Sequence, residues 1–96
     1  MFEVQTTEYF DKWLHKLRDA TAANAIKVRI ANFRRGLLGD VKPVGDGVLE
    51  ARLHLSAGYR IYFVKRGDML ILLLCGGDKG SQKADIAKAK KMLLEE

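Results

Sequence analysis

The sequence predicts an α+β domain built on one mainly antiparallel sheet, and three observations carry that prediction. Residues 47–82 hold three strand-like runs divided by the short turns Ser56-Ala57-Gly58 and Arg66-Gly67-Asp68, so the runs should pair as a meander. The third run, Met69 to Cys75, is apolar at every position, which fits an interior strand covered on both faces. Two stretches before residue 47 and one after residue 81 repeat apolar residues at helical spacing. The expected order is β-α-α-β-β-β-α, with an N-terminal helical hairpin and a C-terminal helix around one sheet.

Each element has its own signals. Phe2-Glu3-Val4-Gln5 alternates apolar and polar residues, as a short strand does. Thr6 and Thr7 can cap a helix, and Glu8 suits its positive end. Phe10, Trp13, Leu14 and Leu17 then form one apolar stripe, which assigns Trp13 to the core rather than to base stacking. His15 lies off the stripe, on the surface. Asp19-Ala20-Thr21 offers new caps, and a second helix is expected from about Ala22 to Arg35. Its buried face is Ala22, Ile26, Ile30 and Phe33, and Gly36 suits the left-handed residue that ends it. Lys27, Arg29, Arg34 and Arg35 give it a basic outer side. Residues 36–47 are rich in glycine and contain Pro43, so they read as a loop. The last helix should start near Ser81 and bury Ile86, Ala89 and Leu93.

Length and composition set limits. Ninety-six residues suit a single domain, residues 1–96. An apolar content of 48% with one proline fits a packed core rather than a disordered chain. The net charge of +5 favours a polyanion or an acidic protein as partner. The lone Cys75 precludes an internal disulfide and suits a reducing cytoplasm. No signal-peptide pattern opens the chain, and the longest apolar run, at seven residues, is too short to span a membrane. Two distant histidines and one cysteine do not make a zinc-site spacing.

The first two meander strands are where chemistry is expected. Side chains alternate faces along a strand, so Leu49, Ala51, Leu53, Ile61 and Phe63 share one side. Glu50, Arg52, His54, Arg60 and Tyr62 share the other, which is expected to be exposed, with Asp78 and Lys79 leaving the third strand nearby. These residue types suit phosphodiester chemistry. Arginine can grip a phosphate through two parallel hydrogen bonds and stabilise added negative charge. Glu50, His54 or Asp78 can take a proton from a ribose 2′-hydroxyl, and Lys79 or an arginine can neutralise the leaving oxygen. Tyr62 can stack a base, and Lys83, Lys90 and Arg34 can meet phosphates further along an RNA. The same pattern also describes an ordinary wet sheet face, with Glu50 and Arg52 as a surface pair.

Several segments, in order, carry a family resemblance. They are Thr7-Glu8-Tyr9-Phe10-Asp11-Lys12-Trp13-Leu14, Gly39-Asp40-Val41-Lys42-Pro43-Val44-Gly45 and Gly47-Val48-Leu49-Glu50-Ala51-Arg52. Gly58-Tyr59-Arg60-Ile61-Tyr62-Phe63 and Leu72 to Lys79, with Gln82 and Asp85-Ile86, complete them. Through these segments the chain resembles the RelE/ParE superfamily of bacterial type II toxins, in the HigB-like branch of addiction module killer proteins. The resemblance implies a RelE-like fold and a cytoplasmic toxin that cleaves mRNA, often on the ribosome, without metal or cofactor. It implies a cognate helix-turn-helix antitoxin as partner. It assigns a family active-site arginine to Arg60 and an acid–base or phosphate-binding strand to Glu50 and Arg52. Relatives often carry a histidine or tyrosine near the end of the last strand or the C-terminus; here that region offers Gly77-Asp78-Lys79 and no aromatic. That departure keeps a ParE-like block of DNA gyrase as the alternative.

Overall fold

The computed structural model describes residues 1–55 and 57–95, so Ser56 of the first expected turn lies outside the described residues. The elements are β1 (Glu3–Thr6), α1 (Glu8–Lys16), α2 (Ala20–Arg34), β2 (Val41–Gly45), β3 (Val48–Arg52), β4 (Arg60–Arg66), β5 (Leu70–Gly77) and α3 (Gln82–Leu94), with a 3-10 turn over Lys79–Ser81. The strands form one sheet in the order β1-β5-β4-β3-β2. β1 runs parallel to β5, and the other neighbours are antiparallel. The apolar run is therefore an interior strand, with β1 on its outer side as its pattern requires.

The helices begin and end where local chemistry directs them. Thr7 caps α1 by accepting the Phe10 N–H, and Asp19 caps α2 by accepting the Ala22 N–H, so α2 starts two residues earlier than its apolar pattern suggested. At the end of α2, Gly36 has a φ of 82°, and the N–H groups of Gly36 and Leu37 return to the carbonyls of Phe33 and Asn32. This is a Schellman stop, which a side chain at residue 36 would strain.

One strand was not expected. Residues 41–45, read as loop, form β2 on the outer side of β3. Pro43 and Gly45 hide its alternation, but an edge strand tolerates a residue with no N–H to donate. The two-residue turn Asp46-Gly47 joins β2 to β3 with both φ values positive, 56° and 81°, as the right-handed twist of a tight hairpin demands.

Both faces of the sheet are covered. On one, Phe10 of α1 and Ile26, Ile30 and Phe33 of α2 pack on Ala51, Leu53, Ile61, Phe63, Ile71 and Leu73. On the other, Ile86, Ala89, Met92 and Leu93 of α3 pack on Val48, Tyr62, Val64, Leu72 and Leu74. Fully burying a large apolar side chain contributes roughly 1.5–3 kcal/mol, so these two layers are the main source of stability. The predicted alternation of β3 and β4 is thus observed, but the face expected to be wet lies largely under α3. Among the described residues, no helix is long and apolar enough to cross a membrane.

Candidate functional site

α3 covers the middle of the polar face and leaves its end open. Val48, Tyr62 and Val64 sit under the helix, whereas Arg52 is half-buried and His54 exposed. Glu50, expected on the surface, has 0% exposure, and so has Tyr62. Tyr62 accordingly offers no face to a base, which corrects the stacking role expected of it. Arg60 is 9% exposed.

Burying Glu50 leaves a carboxylate that must be satisfied from within. Its Oε1 accepts from Arg52 Nε at 3.1 Å and lies 4.0 Å from Lys42 Nζ. Its Oε2 accepts from the Tyr62 hydroxyl at 3.1 Å and from Gln82 Nε2 at 2.8 Å, with Arg60 Nε 3.6 Å away. Burial pushes the Glu50 pKa up, but the hydrogen bonds from Gln82, Arg52 and Tyr62 and the charge of Arg60 outweigh it, so the net shift is downward. Glu50 is held ionised, with both oxygens engaged. It is therefore an anchor for two arginines and not a group free to accept a substrate proton. The same burial, together with the Glu50 charge and hydrogen bond, raises the Tyr62 pKa, so its hydroxyl stays a donor.

The arginines point from this anchor to an open cleft of about 320 Å³, lined by Arg52, His54, Arg60 and Lys79 together with residues 57–59. Arg60 Nη1 donates to the Gly58 carbonyl at 2.8 Å, and the Lys79 N–H donates to the Ala57 carbonyl at 3.1 Å. These contacts bring the end of β5 against the turn before β4, which places Lys79 at the arginines. Asp78 is spent differently: its carboxylate accepts the Ser81 N–H at 3.1 Å and caps the 3-10 turn leading into α3. Ser81 itself makes no side-chain cap to α3; its hydroxyl donates to Asp85 Oδ2 at 2.5 Å.

His54 stands on the exposed rim of the cleft, with Nε2 2.6 Å from Asp40 Oδ2. Asp40, which the sequence places in a loop and in one of the segments of family resemblance, organises this corner. Its carbonyl accepts from Arg52 N and from Arg29 Nη2, each at 3.0 Å. Arg29 was expected on the basic outer side of α2. It turns inward instead and also donates to the carbonyls of Leu38 at 2.9 Å and Arg52 at 2.8 Å. Desolvation lowers its pKa, with Asp40 opposing the shift.

The outlying cations do not gather here. Arg34 ends α2 on the opposite face of the sheet, Lys90 lies 3.8 Å from Asp46 at the β2–β3 turn, and Lys83 is exposed near the start of α3. Among the described residues, no group of three or more His, Cys, Asp or Glu side chains could hold a metal ion.

No family model matches the sequence. A Haemophilus influenzae protein described as uncharacterized is 42% identical over 93 residues, covering 97% of this chain and 94% of its own. The chain belongs to that protein's family. A chain of the RelBE2 toxin-antitoxin complex from Mycobacterium tuberculosis matches with a TM-score of 0.63 at 21% identity, over 79% of this chain and 95% of its own. A chain of the intact E. coli RelBE toxin-antitoxin complex also gives 0.63, at 16% identity, over 81% and 96%. A conserved hypothetical protein from Helicobacter pylori gives 0.54 at 19% identity, over 83% and 97%. The fold is RelE-like. At these identities the likeness establishes architecture, and residue roles must be argued from the cleft itself.

Proposed function

We propose that the protein is the toxin of a type II toxin–antitoxin system and a metal-independent endoribonuclease that cuts mRNA on the ribosome. One observation carries the reading: Arg52, Arg60, Lys79 and His54 line a single cleft, with the buried Glu50 charge beneath both arginines, bonded to Arg52 and 3.6 Å from Arg60. The fold shared with chains of two RelBE toxin-antitoxin complexes supports the toxin assignment. The sequence segments quoted above support the HigB-like branch, and with it a helix-turn-helix antitoxin as partner.

The chemistry follows from the parts. The ribose 2′-oxygen attacks the adjacent phosphorus, so the O2′–P bond forms and the P–O5′ bond breaks. Two negative charges then develop, on the non-bridging oxygens and on O5′. Arg60 and Arg52 take the first, preorganised by Glu50 at no cost during the reaction. Lys79 takes the second and gives O5′ the proton that makes it a hydroxyl, later recovering one from solvent, to which His54 releases its own. With Nε2 of His54 turned to Asp40, Nδ1 is the nitrogen that receives the 2′-hydroxyl proton. The internal nucleophile dispenses with a metal-activated water. The products are a 2′,3′-cyclic phosphate and a 5′-hydroxyl end.

The test is induced expression with and without the neighbouring gene, with transcript ends mapped. Early translation arrest with 5′-hydroxyl ends is expected, abolished by Arg60→Ala and by co-expression of an adjacent helix-turn-helix gene. Cleavage that persists in Arg60→Ala removes the role given to that arginine. Ends bearing 5′-phosphate contradict the mechanism. Intact mRNA with an SOS response contradicts cleavage altogether and favours gyrase as target.

A further inference from the structure

Arg60 is held close to a buried anion without bonding to it. Its Nε lies 3.6 Å from Glu50 Oε2, beyond hydrogen-bond range, and it is buried with no hydrogen-bond partner among the described residues. Such a donor ordinarily closes on the nearest carboxylate, because a charge-assisted bond is strong and an unpaired buried donor is costly. The acceptor is already occupied. A carboxylate oxygen has two lone pairs, and on Oε2 they face the Tyr62 hydroxyl at 3.1 Å and Gln82 Nε2 at 2.8 Å. Arg60 is steadied from its other end, where Nη1 donates to the Gly58 carbonyl.

We infer that Gln82 is a positioning residue: by filling the acceptor site on Glu50 that Arg60 would take, it keeps the guanidinium presented to the cleft. Gln82 is the first residue of α3, set by the Asp78–Ser81 cap just before it. The seating of that helix therefore controls the reach of the phosphate-binding arginine. Without the amide, Arg60 Nε closes on Oε2 and the guanidinium is drawn toward the floor of the sheet. Arg52 does not move with it, because it is bonded to the other oxygen, Oε1. The inference rests on the reading of the cleft as a phosphate site.

The test is Gln82→Leu, which keeps bulk but donates nothing, with Tyr62→Phe as a second variant that frees the other lone pair of the same oxygen. The Arg60 Nε–Hε resonance and the dissociation constants for inorganic phosphate and for a short RNA with a 2′-deoxy scissile nucleotide are measured on wild type and variants. In both variants the Arg60 Hε signal is expected to move downfield and exchange more slowly. Affinity for phosphate and RNA is expected to fall roughly five- to tenfold, the scale of one charge-assisted contact, while the backbone amides of β4 and β5 hold their positions. An unchanged Hε signal with affinities within about twofold of wild type, in whichever variant folds, overturns the inference. A wild type that binds phosphate but leaves the all-ribose form of that RNA uncut, free and on ribosomes, defeats the proposed cleavage and not the role of Gln82. A wild type that binds neither defeats the phosphate reading, and the Hε signal alone then decides whether Gln82 holds Arg60 off Glu50.

Discussion

Gly76 lies directly beneath the Trp13 indole: a Cβ at residue 76 would stand 2.4 Å from Cζ3 of the ring. The helix–strand contact is closed to the last carbon, and no side chain larger than hydrogen fits without displacing the tryptophan. Trp13 also stands edge-on to Tyr59, with ring centroids 6.5 Å apart, so its displacement disturbs the segment leading into Arg60. We expect Gly76→Ala to cost about 1–3 kcal/mol, the usual range for overpacking. For a domain of this size each kcal/mol lowers Tm by roughly 4–8 °C. Thermal unfolding followed by near-UV circular dichroism checks both the loss of stability and the movement of the indole; an unchanged melt contradicts the packing described.

Stability should also depend on acid through Glu50. Its folded pKa is lowered, so the folded state binds its proton more weakly than the unfolded chain does. The contribution is complete above the unfolded carboxylate pKa, about 4.3, and is lost as pH falls through the folded value. Glu50→Gln removes that charge and its titration. Denaturant midpoints measured from pH 7 downward should therefore fall less steeply below about pH 4.5 in the variant than in wild type. Equal slopes would mean that the Glu50 pKa is the same in folded and unfolded chains.

These two cases mark what was legible in the sequence. Periodicity is local, so the stripe containing Trp13 and the alternation of β3 and β4 could be read directly, and the structure has both. Which faces are covered is decided by long-range docking. Nothing within residues 48–64 announces that α3, beginning at residue 82, lies across them. Glu50 and Tyr62 were thus placed on the correct face but on the wrong side of the boundary with solvent. The same limit hid Gln82, Asp40 and the inward turn of Arg29, whose partners are distant in sequence or are backbone carbonyls. β2 was missed for a local reason, since Pro43 and Gly45 are turn residues wherever the edge of a sheet is not already in view.

Cys75 is expected to be chemically silent. It has no exposure, its thiol donates to the Asp85 carbonyl at 3.6 Å, and burial followed by the Asp85 charge pushes its pKa up to about 12. The thiolate is the nucleophile, so the native protein should react with iodoacetamide at pH 8 only as fast as β5 is uncovered. In denaturant the reaction should speed up by orders of magnitude. Rapid labelling of the native protein would show that the α3 layer opens far more readily than its packing suggests.

The corner formed by Asp40 makes a sharper prediction about catalysis. Its backbone carbonyl braces Arg29 and the end of β3, while its carboxylate pairs with the exposed His54 ring and its charge also acts on Arg29. Asp40→Asn therefore keeps the brace and removes the charge beside the imidazole. With little buried surface affected, the change in stability should stay within about 0.5 kcal/mol. If Asp40 orients the His54 ring, RNA cleavage falls by about tenfold, and His54→Ala costs about 10²–10⁴-fold, the range for a general base. The two residues then act as one unit, so Asp40→Asn added to His54→Ala should slow cleavage no further. A double variant slower than His54→Ala by the full Asp40→Asn factor would separate the two residues, and proton abstraction would then have to be sought elsewhere in the cleft. The measurement is single-turnover cleavage of an mRNA on programmed ribosomes by the four proteins, with circular dichroism melts confirming that each is folded.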